Sequence, residues 1–193
     1  MDLNSLLDPR LIALVAVAVV VVVGLVWLSV RQRRTMTADL RKRFGSEYEQ
    51  AVREHGSARR AEAQLAGRAK RVKGLNIRDL DTASRDRFAF QWQALQSRFV
   101  DAPKGAVAEA DTLVSSVMQA RGYPVADFNQ RAADISVHHP RLVASYRSAH
   151  EIAVRLGQGD ASTEELRTSM IHFRALFEEL MLVPTAAAMK EVA

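Results

Sequence analysis

From Leu11 to Val30 the chain reads LIALVAVAVVVVVGLVWLSV, a run with no charge and no polar position except Ser29. Twenty helical residues rise about 30 Å, the hydrocarbon thickness of a bilayer. Lipid offers backbone amides no partners, so valine's preference for strands gives way to helix. The pattern predicts a transmembrane helix over 11–30, with Trp27 near an interface. The preceding MDLNSLLDPR carries Asp2, Asp8 and a single Arg10, and no small-residue cleavage site follows the run. An uncleaved anchor fits this better than a secretory signal.

Beyond the run, apolar positions recur at intervals of three and four. Leu40, Phe44, Tyr48 and Val52 form one stripe, broken at Gly45, where Ser46 and Glu49 have the spacing of a capping box. Ala58, Ala61, Leu65, Ala69 and Val72 make a thinner stripe, and the segment 31–75 reads as a basic juxtamembrane stalk or arm. Phe88, Trp92, Leu95 and Phe99 form the strongest core stripe, after a cap at Asp81 or Thr82 and before the break at Pro103. Val107, Ala110, Leu113, Val114, Val117 and Met118 mark the next helix, and Phe128, Ala132 and Ile135 a short one capped by Asp127. Leu142, Tyr146, Ala149, Ala153 and Leu156 follow the break at Pro140. Ser162 and Glu165 repeat the capping-box spacing ahead of Leu166, Met170, Phe173, Phe177 and Leu180.

No stretch alternates polar and apolar residues between hairpin turns. The predicted fold is all-α, an N-terminal transmembrane helix followed by an irregular antiparallel helical bundle over 76–182, with a disordered tail at 183–193.

Charge divides the chain unevenly. Residues 31–87 hold sixteen Lys and Arg against eight Asp and Glu, whereas 88–193 hold ten against twelve. The basicity of the whole, pI ≈ 10.0, therefore belongs to the half nearest the apolar run. Arg31, Arg33, Arg34, Arg41, Lys42 and Arg43 follow the run and one Arg precedes it, which places residues 1–10 outside and the rest in the cytoplasm. These six cations suit anionic lipid headgroups. A second cluster, Arg59, Arg60, Arg68, Lys70, Arg71 and Lys73, feels such a surface only within about 8 Å. The same basic arm could tether nucleic acid, but it lacks interleaved aromatics, a zinc pattern and a helix-turn-helix, and nucleic acid is not the expected partner.

Chemical signatures are sparse. Without cysteine there are no disulfides, thiolate metal sites or cysteine nucleophiles. Nucleophile-elbow, phosphate-loop and dinucleotide-turn motifs are missing, and no two of the five histidines stand four apart. Arg131, Asp134 and His138, at offsets of three and four, share one face of the short helix before the break at His139 and Pro140. With His139 and His150 they form a candidate polar cluster for a ligand-binding or metal-dependent site, for which ordinary ion pairs are the cheaper explanation. No catalytic residue, metal ligand or cofactor is assigned, and enzymatic activity is the lesser expectation. Tyr123, Pro124 and Phe128 make an aromatic-proline cluster suited to packing a turn or docking a partner.

The stretches LRKRFGSEYEQAV, FVDAPKGAVAEADTLVSSVM, RGYPVADFNQRAADISVHHP, YRSAHEIA and STEELRTSMIHFRALFEELM resemble a widespread group of uncharacterised bacterial membrane proteins with one span and a helical soluble domain. The resemblance implies a bacterial origin and an intact domain, with no activity or site residue attached. The expectation is a single-pass protein of the bacterial inner membrane whose cytoplasmic helical domain acts through protein contacts as an adaptor or scaffold, with an unidentified protein or a second copy as partner.

Overall fold

In the computed structural model, the backbone is described for residues 9–124 and 127–182; at 9–17, 26, 29, 30, 33 and 34 the side chains are not. The chain divides into two compact units at Lys42/Arg43.

Helix α1 (Pro9–Phe44) supplies the first unit. Its side chains at 18–25, 27 and 28 are all exposed, among them Val19 to Val23, Leu25, Trp27 and Leu28. At about 100° per residue, these consecutive exposed positions leave the described stretch from 18 to 28 apolar and bare on every side. Among the described residues no helix is long and apolar enough to cross a membrane. The span expected over 11–30 includes residues 11–17, 26, 29 and 30, whose side chains lie outside that set, as do residues 1–8 and the expected tail at 183–193.

The second unit holds α2 (Ser46–His55), α3 (Ala58–Lys73), α4 (Thr82–Phe99), α5 (Pro103–Ala120), α6 (Phe128–Ile135), α7 (Pro140–Gly157) and α8 (Thr163–Met181). The described residues are all-α, with no strand. Helix α8 packs against both α5 and α7, α4 lies along α5, and the α2–α3 pair meets α7 through α2 and α6 through α3.

The core follows from the stripes. Phe88, Trp92 and Leu95 of α4 are buried with Val107, Val114 and Val117 of α5 and Leu166, Phe173, Phe177 and Leu180 of α8. Each large side chain contributes about 1.5–3 kcal/mol. Trp92 stacks on Phe177 with ring centroids 4.7 Å apart. Ala149 is small enough for α8 to approach closely, and the buried Ser169 hydroxyl donates to its carbonyl at 3.0 Å. In α7 the buried stripe is Val143, Tyr146, Ala149 and Ile152, so the inward face is turned from the expected one and Leu142, Ala153 and Leu156 are half-buried.

Two local expectations change. The basic arm is not separate throughout, because the compact unit begins at Arg43 and buries Phe44, Tyr48, Ala51, Ala61, Leu65 and Val72. Its alanines give a face that is thin yet lets helices come close. The capping box at Ser46 and Glu49 does not form; Gly45, at φ 53°, is itself the N-cap and Ser46 is already helical. The expected caps do form at Asp81, Asp127 and Ser162, the last with its reciprocal Glu165 bond, and Ser57 caps α3 as well.

Two helices end in the same left-handed glycine motif. At α5 the Gly122 N–H donates to Gln119 and the Tyr123 N–H to Met118; at α7 Gly159 donates to Leu156 and Asp160 to Arg155. The φ values are 95° and 85°. Only Gly122 is also crowded, since a Cβ there would stand 2.2 Å from the Asn76 carbonyl oxygen, whereas Gly159 has open space. Gly122→Ala is therefore expected to lose about 3 kcal/mol and Gly159→Ala about 1 kcal/mol in urea unfolding. Equal losses would show that the Asn76 approach is not a constraint.

Candidate functional site

The candidate residues Arg131, Asp134, His138, His139 and His150 do not converge on one pocket. Helix α6 ends at Ile135, so His138 falls in the following turn instead of one helical step beyond Asp134. Each residue has its own surroundings. Asp134 is buried and accepts from Arg71 Nε at 2.9 Å and from Gln130 at 3.0 Å. Half-buried Arg131 lies by the Tyr146 hydroxyl, whose pKa burial raises while that guanidinium opposes the rise. His138 Nδ1 is 3.1 Å from the Tyr123 hydroxyl. His139 Nδ1 meets Glu179 of α8 at 3.2 Å. His150 stacks flat on Phe128 with centroids 3.6 Å apart and bonds Asp111 of α5 at 3.2 Å. Among the described residues no group of three or more His, Asp or Glu could hold a metal ion.

These pairings shift the titrations. Loss of water around His138, then the charges of His139, Arg43 and Arg121, push its pKa down to about 4. Burial also lowers His139, against the pull of Glu179. Burial drives Tyr123 up to about 12. Glu165, held by the Ser162 N–H and by Arg155, falls to about 2.

The more demanding electrostatics lie where the stripes gave no signal. Glu47 of α2 is 2% exposed and takes Arg147 of α7 with both carboxylate oxygens, one contact at 2.9 Å, while Arg68 of α3 stands at 3.6 Å. Arg147 also donates to Gln50 at 3.0 Å. Burial lowers the Arg68 pKa, and Glu47 counteracts it. Arg121, also buried, donates to the Leu180 carbonyl at 2.7 Å and to Asp79 at 3.3 Å, joining the end of α8 to the connector before α4. One hint was available: Glu47 sits one position from the stripe residue Tyr48, on the edge of a buried face.

Of the six cations expected at a membrane surface, Arg31, Arg41 and Lys42 are exposed, and the Arg31 guanidinium lies 5.3 Å from the Trp27 ring centre. Arg43 is half-buried with its guanidinium 5.9 Å from the Phe44 ring centre. The side chains of Arg33 and Arg34 lie outside the described set. Elsewhere, an open groove of about 480 Å³ runs between α4 and α5, floored by Ala94, Ala108 and Thr112 and flanked by Phe90, which is 72% exposed. Arg98 donates to Glu109 at 2.9 Å beside it, so that its charged pair is internally neutralised. Tyr123 is buried, and Phe128 packs on Tyr146 at 5.0 Å, which assigns both rings to turn packing.

No family model, no curated protein and no solved structure matches this chain.

Two measurements check these electrostatics. Glu47→Gln leaves two guanidinium groups without their buried counter-charge and is expected to cost about 3–5 kcal/mol. Arg98→Gln, in a half-exposed pair, is expected to cost under about 1 kcal/mol. Similar small losses would show that Glu47 is effectively solvated. Acid sensitivity follows from the histidines: both fold with pKa values below the ordinary 6.5. The unfolded chain then binds more protons, so their stabilising contribution is complete above 6.5 and is lost as pH falls towards about 4 for His138. The melting temperature should decline across that window. The decline should be shallower in His138→Asn/His139→Asn; an unchanged slope would show that other groups govern it.

Proposed function

We propose that the chain is a single-pass protein of the bacterial cytoplasmic membrane that holds its helical unit at the cytoplasmic face and acts through protein contacts as an adaptor or scaffold. The observation that carries this reading is α1, whose described side chains from 18 to 28 are apolar and exposed all round. In water such a surface has no covering, whereas in lipid it needs none. The uncharged run from Leu11 to Val30 and the six cations that follow supply the length and the direction.

The contact role draws on how the polar groups are used. Asp134, His139, His150, Glu47 and Arg121 each tie one helix to another. The α4–α5 groove, its Arg98–Glu109 pair internally neutralised and its edge set by the exposed Phe90, is a surface suited to a partner helix or loop.

Topology and contact are tested on the full chain in its own membrane. Protease added to intact spheroplasts should spare residues 43–182, and the same protease on inside-out vesicles should remove them. Digestion from outside would overturn the orientation. A photoreactive residue at position 90 should give one discrete adduct and one at position 171 none; the same pattern from both positions would overturn the assigned contact surface.

A further inference from the structure

We propose that the outward face of α3 is a second membrane-contacting surface, one that binds the anionic headgroups of the bilayer to which the chain is anchored; this rests on the membrane reading above.

Helix α3 spends its inward side on structure. Ala61, Leu65 and Val72 are buried, and Arg68 and Arg71 turn to the carboxylates of Glu47 and Asp134. At about 100° per residue, the opposite arc of roughly 180° carries Lys73, Ala66, Arg59, Lys70, Ala63, Gly67, Arg60, Arg71 and Gln64 in angular order, with Arg71 near one edge reaching back to Asp134. Arg59, Arg60, Lys70 and Lys73 are exposed and, among the described residues, make no ion pair. The helix has one carboxylate, Glu62, which lies off this arc and accepts from the Tyr48 hydroxyl at 2.9 Å. Along the axis the arc is therefore positive at both ends, with Ala63, Ala66 and Gly67 in between and Gln64 at its edge, and Arg59 and Lys73 stand about 21 Å apart.

A flat array of phosphates is the partner this shape fits. Long flexible cations at the two ends can reach a plane while Ala63, Ala66 and Gly67 keep the middle from holding the helix off it. Nucleic acid would also neutralise these cations, but single strands are gripped by stacking on aromatic rings, and α3 has none. A bilayer tethered to the same chain is moreover present at high effective concentration. Each cation near such a surface contributes about a fivefold gain in the contact equilibrium.

The chain has no cysteine, so Ala63→Cys gives the full-length protein a unique attachment point for a fluorophore. The protein is reconstituted into phosphatidylcholine vesicles with or without phosphatidylglycerol, each carrying a trace of nitroxide-headgroup lipid. Quenching is expected only with phosphatidylglycerol, is expected to fall with salt, and is expected to vanish in Arg59→Gln/Arg60→Gln/Lys70→Gln/Lys73→Gln. Circular dichroism checks that this variant keeps its helices, as exposed side chains should allow. Equal quenching in both vesicles, or quenching that survives the fourfold change, overturns the proposal. So does a label that responds to added single-stranded RNA and not to anionic lipid. Flotation with pure phosphatidylcholine vesicles reports the anchor separately: if the chain does not float there, the membrane reading fails, and flotation with phosphatidylglycerol still reads α3.

Discussion

Two carboxylates taken out of water set the arrangement of the second unit. Glu47 and Asp134 are nearly inaccessible, and a buried carboxylate is tolerable only with a counter-charge and hydrogen bonds close by. Arg147 and Arg68 serve the first and Arg71 the second. Because those arginines come from α3 and α7 and the carboxylates from α2 and α6, satisfying the charges puts the α2–α3 pair on α6 and α7. Hydrophobic burial contributes as well, through Phe44, Tyr48, Ala51, Ala61, Leu65 and Val72, but it is not directional, and the charge pairs add the register. The charges cost more to bury than leucines would, and in return they fix which surfaces meet.

The same commitment decides what α3 shows to solvent. Its six cations are close together in sequence but divide by partner, with Arg68 and Arg71 turned to buried acids and Arg59, Arg60, Lys70 and Lys73 left outward. A basic segment that looks uniform along the chain thus becomes structural on one side and available on the other. That division, more than net charge, is why the outward arc has so little acidic relief.

What was legible in the sequence was what depends on near neighbours. The α4 stripe of Phe88, Trp92 and Leu95 and the box formed by Ser162 and Glu165 are properties of three or four consecutive turns, and both stand in the structure. The failures have equally local causes. Gly45 takes a positive φ, 53°, and with it the cap position, which leaves Ser46 inside the helix. The Arg131, Asp134 and His138 spacing assumed helix through residue 138, but α6 stops at Ile135 and the geometry of a shared face goes with it. Glu47 and Arg147 are separated by 100 positions and Arg71 and Asp134 by 63, so periodicity could not reveal either pair. The transmembrane reading of Leu11 to Val30 rests on composition and length, and remains the proposal that best accounts for a bare apolar helix.

The histidines show how a polar constellation in sequence can dissolve into separate contacts without losing significance. His138, His139 and His150 bond Tyr123, Glu179 and Asp111, on the α5 end, α8 and α5 respectively. Each lies where α6 or α7 meets a different neighbour, and each imidazole can donate to one helix while stacking on or filling space beside another, as His150 does on Phe128. A carboxylate–arginine pair at these positions would have to be desolvated as a full charge pair. A largely neutral imidazole at neutral pH asks for less, and burial holds His138 and His139 in that form. Beside the buried ion pairs Arg71–Asp134 and Arg147–Glu47, His138 and His139 thus add polar specificity to the seams around α6 and α7 without burying further charge of their own.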